Sequence, residues 1–296
     1  MTRFGAKRHQ PQRSVTIGSS GLGLLPAVVA FTLAVAWPAI SIFQQSLDKN
    51  PLAAADVAHD PVDNFSTLFS QPLYRAAMVR TIRASAISTI ASLGLGLLIV
   101  VVLTAFRRRE VASLWLFVLL APILSGPIIT VLGWMGLFVR DGIGYELVNA
   151  IRPLIGGSEG RVIETEVAMT IGMIHWTTPF VVLTLYPIAR SVPPSVMDVS
   201  LTLGATPMRT IRRVMIPMCR PGLVAASIVA LAMSLSAFVN ARFLGGERNL
   251  VLTTLVNQLV NTFNPTLAAA ASTVLVIIGL LLVAAYGRVL ARMERL

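Results

Sequence analysis

The run Ala84–Phe106, ASAISTIASLGLGLLIVVVLTAF, contains no aspartate, glutamate, lysine, arginine or histidine. A helix of this length crosses the roughly 30 Å of bilayer hydrocarbon, which takes about 20 residues. Five more runs share its character: Leu24–Phe43, Ala112–Val139, Val167–Ala189, Gly222–Ala241 and Leu267–Tyr286. None alternates with the period of two that a closed β-barrel, the other spanning solution, requires. The fold class expected is all-α, a polytopic membrane protein with six transmembrane helices. Composition agrees: 55% of the 296 residues are hydrophobic, only 12% are charged, and mean hydropathy is +0.77. A soluble domain carries about twice that charged fraction, and a disordered chain is far less apolar. The third run contains Pro122, Gly126 and Pro127, so a bend or break is expected there.

The net charge is +11 and the isoelectric point about 11.3. In so apolar a chain, cations belong on cytoplasmic loops, and nucleic acid is not the expected partner. With the N-terminus in the cytoplasm, the inner side holds Arg3, Lys7, Arg8 and Arg13, then Arg107, Arg108 and Arg109. It also holds Arg190, Arg209, Arg212, Arg213 and Arg220, then Arg288, Arg292 and Arg295. Glu110, Asp198 and Glu294 are its acids. The outer side is nearly balanced. Six alternating spans therefore obey the positive-inside rule, with both termini cytoplasmic. The first run is too long for a signal-peptide core and is read as a retained helix. A lone cysteine, Cys219, excludes an intrachain disulfide, and no metal-ligand spacing is present.

This divides the chain into a basic tail (1–23), a first helix (24–43) and an outer loop (44–83). A five-helix core (84–288) follows, with a cytoplasmic loop at 190–221, and a second basic tail (289–296) ends the chain. The outer segments 44–83 and 140–166 are read as solvated connectors, with docking surfaces as the alternative.

The inner loop Arg190–Gly222 is longer than a connection needs. Pro193-Pro194-Ser195 reads as a helix start, with Ser195 as cap. Val196–Leu203 forms two turns, and Gly204 ends them because it accepts positive φ. Thr206-Pro207 starts a second helix, the hydroxyl capping and the proline occupying the first position. Met208, Ile211 and Met215 are expected on one face, with Pro217 and Pro221 closing the unit. Two readings apply: an interfacial helix pair on anionic lipid, or a rigid knob for a soluble partner.

The pattern Asp198-Val199-Ser200-x3-Gly204-x9-Val214-x-Ile216-Pro217 resembles the Glu-Ala-Ala-x3-Gly-x9-Ile-x-Leu-Pro loop. That loop marks the membrane subunits of binding-protein-dependent (type I) ABC importers. Spacing agrees throughout; Gly204 and Pro217 match outright, while Val199 and Ser200 replace two alanines. Phe243-Leu244-Gly245-Gly246 looks like the spermidine/putrescine-type branch. The resemblance implies a permease subunit of a bacterial inner (plasma) membrane, paired with a second, similar permease. Two ATPase subunits that bind ATP and Mg, and an extracytoplasmic substrate-binding protein, would complete the transporter. It makes Asp198, Ser200, Gly204, Ala205, Thr206, Pro207, Met208, Ile211 and Pro217 the contact to the ATPase.

The residues fit a division of labour. No Gly-x4-Gly-Lys-[Ser/Thr] phosphate loop exists, so energy comes from a partner or a gradient; Gly94-x-Gly96 lies in a span and reads as helix packing. A gradient-driven secondary transporter, the alternative, usually carries ionisable groups in its spans. These spans have no Asp, Glu, Lys or Arg and one histidine, His175. An enzyme needs a nucleophile–base pair or metal set; His9, His59 and His175 lie far apart. Candidates for a substrate path are His175, Trp176 and Thr178 on the fourth span and Ser236 and Asn240 on the fifth, the last two sharing a face at i, i+4. The competing reading of each is polar helix packing around Pro179. Trp134 is read as an interfacial anchor. The substrate expected is a small polar solute, polyamine-like or another metabolite.

Overall fold

The structure is a computed structural model that describes residues 20–49, 60–105, 109–139, 142–151 and 163–294. Residues 1–19 of the basic N-terminal tail lie outside the described residues, and the rest of it belongs to the first helix. Among the described residues every regular element is helical.

Helix α1 (Ser20–Ser46) stands against the last helix and exposes most of its apolar side chains. Its end is clamped by α2 (Asp63–Ser70), whose buried Asn64 donates from Nδ2 to the Ser46 and Asp48 carbonyls at 2.9 and 3.0 Å. The segment before the second span is thus partly helical rather than a plain connector. Helix α3 (Pro72–Ala105) begins twelve residues before the expected Ala84. Arg75, Arg80 and Arg83 interrupt the apolar run without interrupting the helix, because two of them have partners. Arg80 donates to the Leu250 carbonyl at 2.8 Å, and Arg83 pairs with Glu166.

Helix α4 (Arg109–Phe138) breaks at Gly126, whose φ of 80° and ψ of 165° are non-helical. The bend falls where Pro122, Gly126 and Pro127 placed it. At the break the Thr130 hydroxyl donates back to the Gly126 carbonyl at 3.0 Å and the Ser125 hydroxyl to the Pro122 carbonyl at 3.2 Å. Short α5 (Ile143–Ile151) follows. Helix α6 (Glu166–Ser191) starts at Thr165, whose side chain accepts from the Ala168 amide at 3.2 Å.

Beyond the cytoplasmic-loop segment, α10 (Arg220–Leu235) was expected to run unbroken to Ala241. It stops at Ser236–Ala237, where Ala237 has ψ 58°. The Ser236 hydroxyl donates to the Met233 carbonyl and its own carbonyl accepts from Phe238, a local arrangement that competes with the helix. The chain resumes as α11 (Phe238–Asn240), a π-helical turn Ala241–Gly245 and a 3-10 turn Glu247–Asn249. Helices α12 (Leu252–Asn261) and α13 (Pro265–Glu294) complete the described chain.

Helices α1, α3, α4, α6 and α13 are each long and apolar enough to span; α10 makes a sixth only when joined to the bent segment before it. The bundle centre is α3, α6 and α10. One face of α3 buries Thr81, Ser85, Ser88, Thr89 and Ser92. Ser88 accepts from Ser234 at 3.1 Å, and Ser92 donates to the Ile174 carbonyl at 3.3 Å. Small hydroxyls let helices approach closely in lipid. Gly96 serves the same end: a Cβ there would collide with Val181, whereas Gly94 meets nothing.

Candidate functional site: a cytoplasmic elbow and a cavity around His175

Helix α7 (Pro194–Thr202) has Pro194 at its first position, so Pro193 is the cap residue and Ser195 lies within the first turn. The expected Ser195 cap is absent because proline takes the start of the helix. The end matches expectation. Gly204 sits at φ +82°; its amide donates to the Leu201 carbonyl at 3.0 Å and the Ala205 amide to the Ser200 carbonyl at 3.2 Å. This double closure is a Schellman turn, with the left-handed residue that favours glycine. Thr206 then accepts from the Arg209 amide at 3.4 Å, and Pro207 opens α8 (Pro207–Thr210). A π-helical turn Ile211–Met215 and α9 (Ile216–Met218), which contains Pro217, lead into α10 at a bend of 72°.

The two arms are joined by a Ser200–Thr210 hydroxyl bond of 2.9 Å, with Thr210 buried. Met215 and Cys219 are buried against α6 and α10. Asp198, Gly204, Thr206, Pro207 and Met208 are exposed; Ser200, Ala205, Ile211 and Pro217 are half-buried. Met208 (71% exposed) and Met215 (4%) do not share a face, because the π turn between them shifts the helical register. The exposed apolar tip consists of Val199, Leu203 (82%) and Met208. Leu203 and Val199 stand outside the ATPase-contact set that the loop pattern implies, because that pattern carries no information on side-chain exposure.

The path candidates separate. His175 and Thr178 line a cavity of about 580 Å³ between α3, α4 and α6. Trp134, read from sequence as an interfacial anchor, is instead half-buried here: its Nε1–H donates to His175 Nδ1 at 3.1 Å, and the rings meet edge-on. Nδ1 is therefore an acceptor, and in the neutral ring the proton sits on Nε2. The Thr178 hydroxyl donates to the Ile174 carbonyl of its own helix at 2.6 Å. The remaining lining is apolar, chiefly Leu95, Ile99, Val118 and Ile171.

Trp176 packs edge-on against Phe180 and does not line this cavity. Ser236 is exposed while Asn240 is 2% exposed, so the break between them removes their shared face. Asn240 lies against Gly172, and its Oδ1 has no partner. Among the described residues no group of three His, Cys, Asp or Glu could hold a metal ion.

Comparison with known proteins places this architecture. A family model described as "Binding-protein-dependent transport system inner membrane component" matches residues 65–295. The chain is 27% identical over 225 residues to the spermidine/putrescine transport system permease protein PotB of Escherichia coli (strain K12), covering 75% of this chain and 80% of that protein. It is 29% identical over 239 residues to the molybdenum transport system permease protein ModB of Mycobacterium tuberculosis (strain ATCC 25618 / H37Rv), covering 80% and 87%. Among solved structures, a bacterial ABC transporter involved in import of the acidic polysaccharide alginate aligns with TM-score 0.72 at 17% identity, covering 92% of this chain and 95% of that one. The same kind of transporter in complex with an alginate pentasaccharide-bound periplasmic protein aligns with TM-score 0.71 at 17% identity, covering 93% and 94%. These likenesses establish the fold. The family match extends from α2 through α13 and includes the Gly204 elbow, so the chain belongs to the inner-membrane components of binding-protein-dependent transport systems.

Proposed function

We propose that this subunit of an ATP-driven ABC importer forms half of a translocation path and receives mechanical work through its elbow. The observation that carries this reading is the exposed, cross-braced turn at Gly204, ending in Leu203 and Met208. A helix that merely floats on lipid has no use for a Schellman turn and an inter-arm hydroxyl bond. Two ATPase subunits hold ATP and Mg; the sequence carries no phosphate loop of its own. Closure of the ATPase pair draws the elbow toward its counterpart on a second permease and rocks the spans. An extracytoplasmic binding protein delivers the solute at the opposite side, with both termini of this chain cytoplasmic. The exposed apolar side chains of α4, among them Phe117, Leu124 and Ile129, are covered by that second permease and by lipid.

The path reading of His175 rests on its place in the cavity wall. Trp176, Thr178, Ser236 and Asn240 are weaker path candidates, given their packing or exposure. The solute is small and polar, and a polyamine agrees with the PotB relatives. Gly204→Asp tests the coupling. No atom blocks a side chain there, but a left-handed non-glycine residue costs about 1 kcal/mol or more. Insertion is expected to persist while ATP hydrolysis no longer drives uptake. A normally transporting variant that still binds its ATPase contradicts the proposal.

A further inference from the structure

Between the two arms of the elbow lies a cleft of about 440 Å³, walled by Val196, Val199, Leu203 and Val214 and edged by Arg209 and Arg213. We infer that this cleft is a socket for a carboxylate side chain of the ATPase, gripped by Arg209 and Arg213. The inference rests on the coupling reading above and adds the chemistry of the partner surface.

The two guanidinium groups stand four residues apart and both residues are exposed. Among the described residues neither has an ion-pair partner. Both residues edge the same cleft, and an anion placed between two like charges removes their repulsion. Arginine's planar fork pairs with a carboxylate through two parallel bonds. Asp198, the acid of α7, does not line the cleft, so the elbow leaves this charge for a partner to match.

Two features favour a protein acid over an anionic lipid headgroup. The walls are fixed by the Schellman turn and the Ser200–Thr210 bond, and a fixed wall selects a side chain of defined shape. An interfacial helix keeps one continuous apolar face toward lipid. Here the apolar residues point opposite ways: Met215 is buried in the bundle while Leu203 and Met208 project outward. Leu203 itself lines the cleft, so a partner that seats Leu203 also reaches Arg209 and Arg213.

The test uses the assembled transporter with its cognate ATPase, carrying Arg209→Glu and Arg213→Glu together. ATPase retention in detergent is expected to fall about tenfold or more, as for loss of close charge pairs. Arg209→Lys with Arg213→Lys is expected to keep much of it. Reversing the facing ATPase carboxylate to arginine is expected to rescue the double glutamate variant. Unchanged retention and uptake in the double glutamate variant would overturn the inference. So would a defect that appears only in vesicles containing phosphatidylglycerol, which would make lipid the occupant. Met208→Cys, in an otherwise native background, separates this from the coupling proposal. If it cross-links to the ATPase while the charge reversals do nothing, the elbow still docks and only the socket is wrong. If it never cross-links, both readings fail.

Discussion

The elbow and the His175 cavity solve opposite problems with similar residues. In the elbow, hydroxyls brace an exposed shape: Ser200 and Thr210 hold two arms together, and Thr206 caps one of them. Around the cavity, hydroxyls and an indole satisfy a buried interior: Thr178 bonds the Ile174 carbonyl, and Trp134 fixes the His175 ring. The first arrangement resists deformation and suits force transmission. The second leaves an apolar chamber with one polar edge and suits weak, transient contact. On the proposed function, rigidity belongs where a motor pushes, and sparse polarity where a solute must leave again.

The sharpest way to break this contrast is Gly204→Asp, expected to reduce ATP-coupled uptake by about tenfold or more, since a strained turn displaces the exposed tip. Uptake into vesicles alongside ATP hydrolysis measures it. Gly96→Val comes next. It forces a side chain into Val181 and should cost about 1–3 kcal/mol of α3–α6 packing, read as lower thermal stability of the purified complex with the elbow intact. Thr210→Val removes the brace and leaves Ser200 without its partner, about 1 kcal/mol; coupling is expected to weaken severalfold while assembly persists. His175→Ala should change uptake kinetics only a few-fold at matched surface expression, in keeping with one neutral hydrogen bond of about 1 kcal/mol. Unchanged kinetics would leave His175 with a packing role alone.

Much of this architecture was legible in the sequence, for identifiable reasons. Long apolar runs announce spans because lipid allows no other solution for the backbone. Gly204 announced its turn because few residues tolerate positive φ, and Pro122-x3-Gly126-Pro127 announced the break in α4. What escaped depended on partners distant in the chain. The early start of α3 was hidden because Arg80 and Arg83 look like loop residues until Leu250 and Glu166 are seen beside them. The break at Ser236–Ala237 was hidden because two serines in an apolar run carry no marker as strong as proline. Trp134 was misplaced because its partner lies 41 residues away. The π turn at Ile211–Met215 has no composition signature, so the face holding Met208 and Met215 was read on the wrong period.

The most direct measurement is cysteine cross-linking from Leu203→Cys at the tip of the elbow, in the native membrane complex, with and without ATP. A nucleotide-dependent adduct to an ATP-hydrolysing subunit is the expected result. A tip that reacts freely with water-soluble thiol reagents in every nucleotide state, and never joins such a subunit, would contradict it.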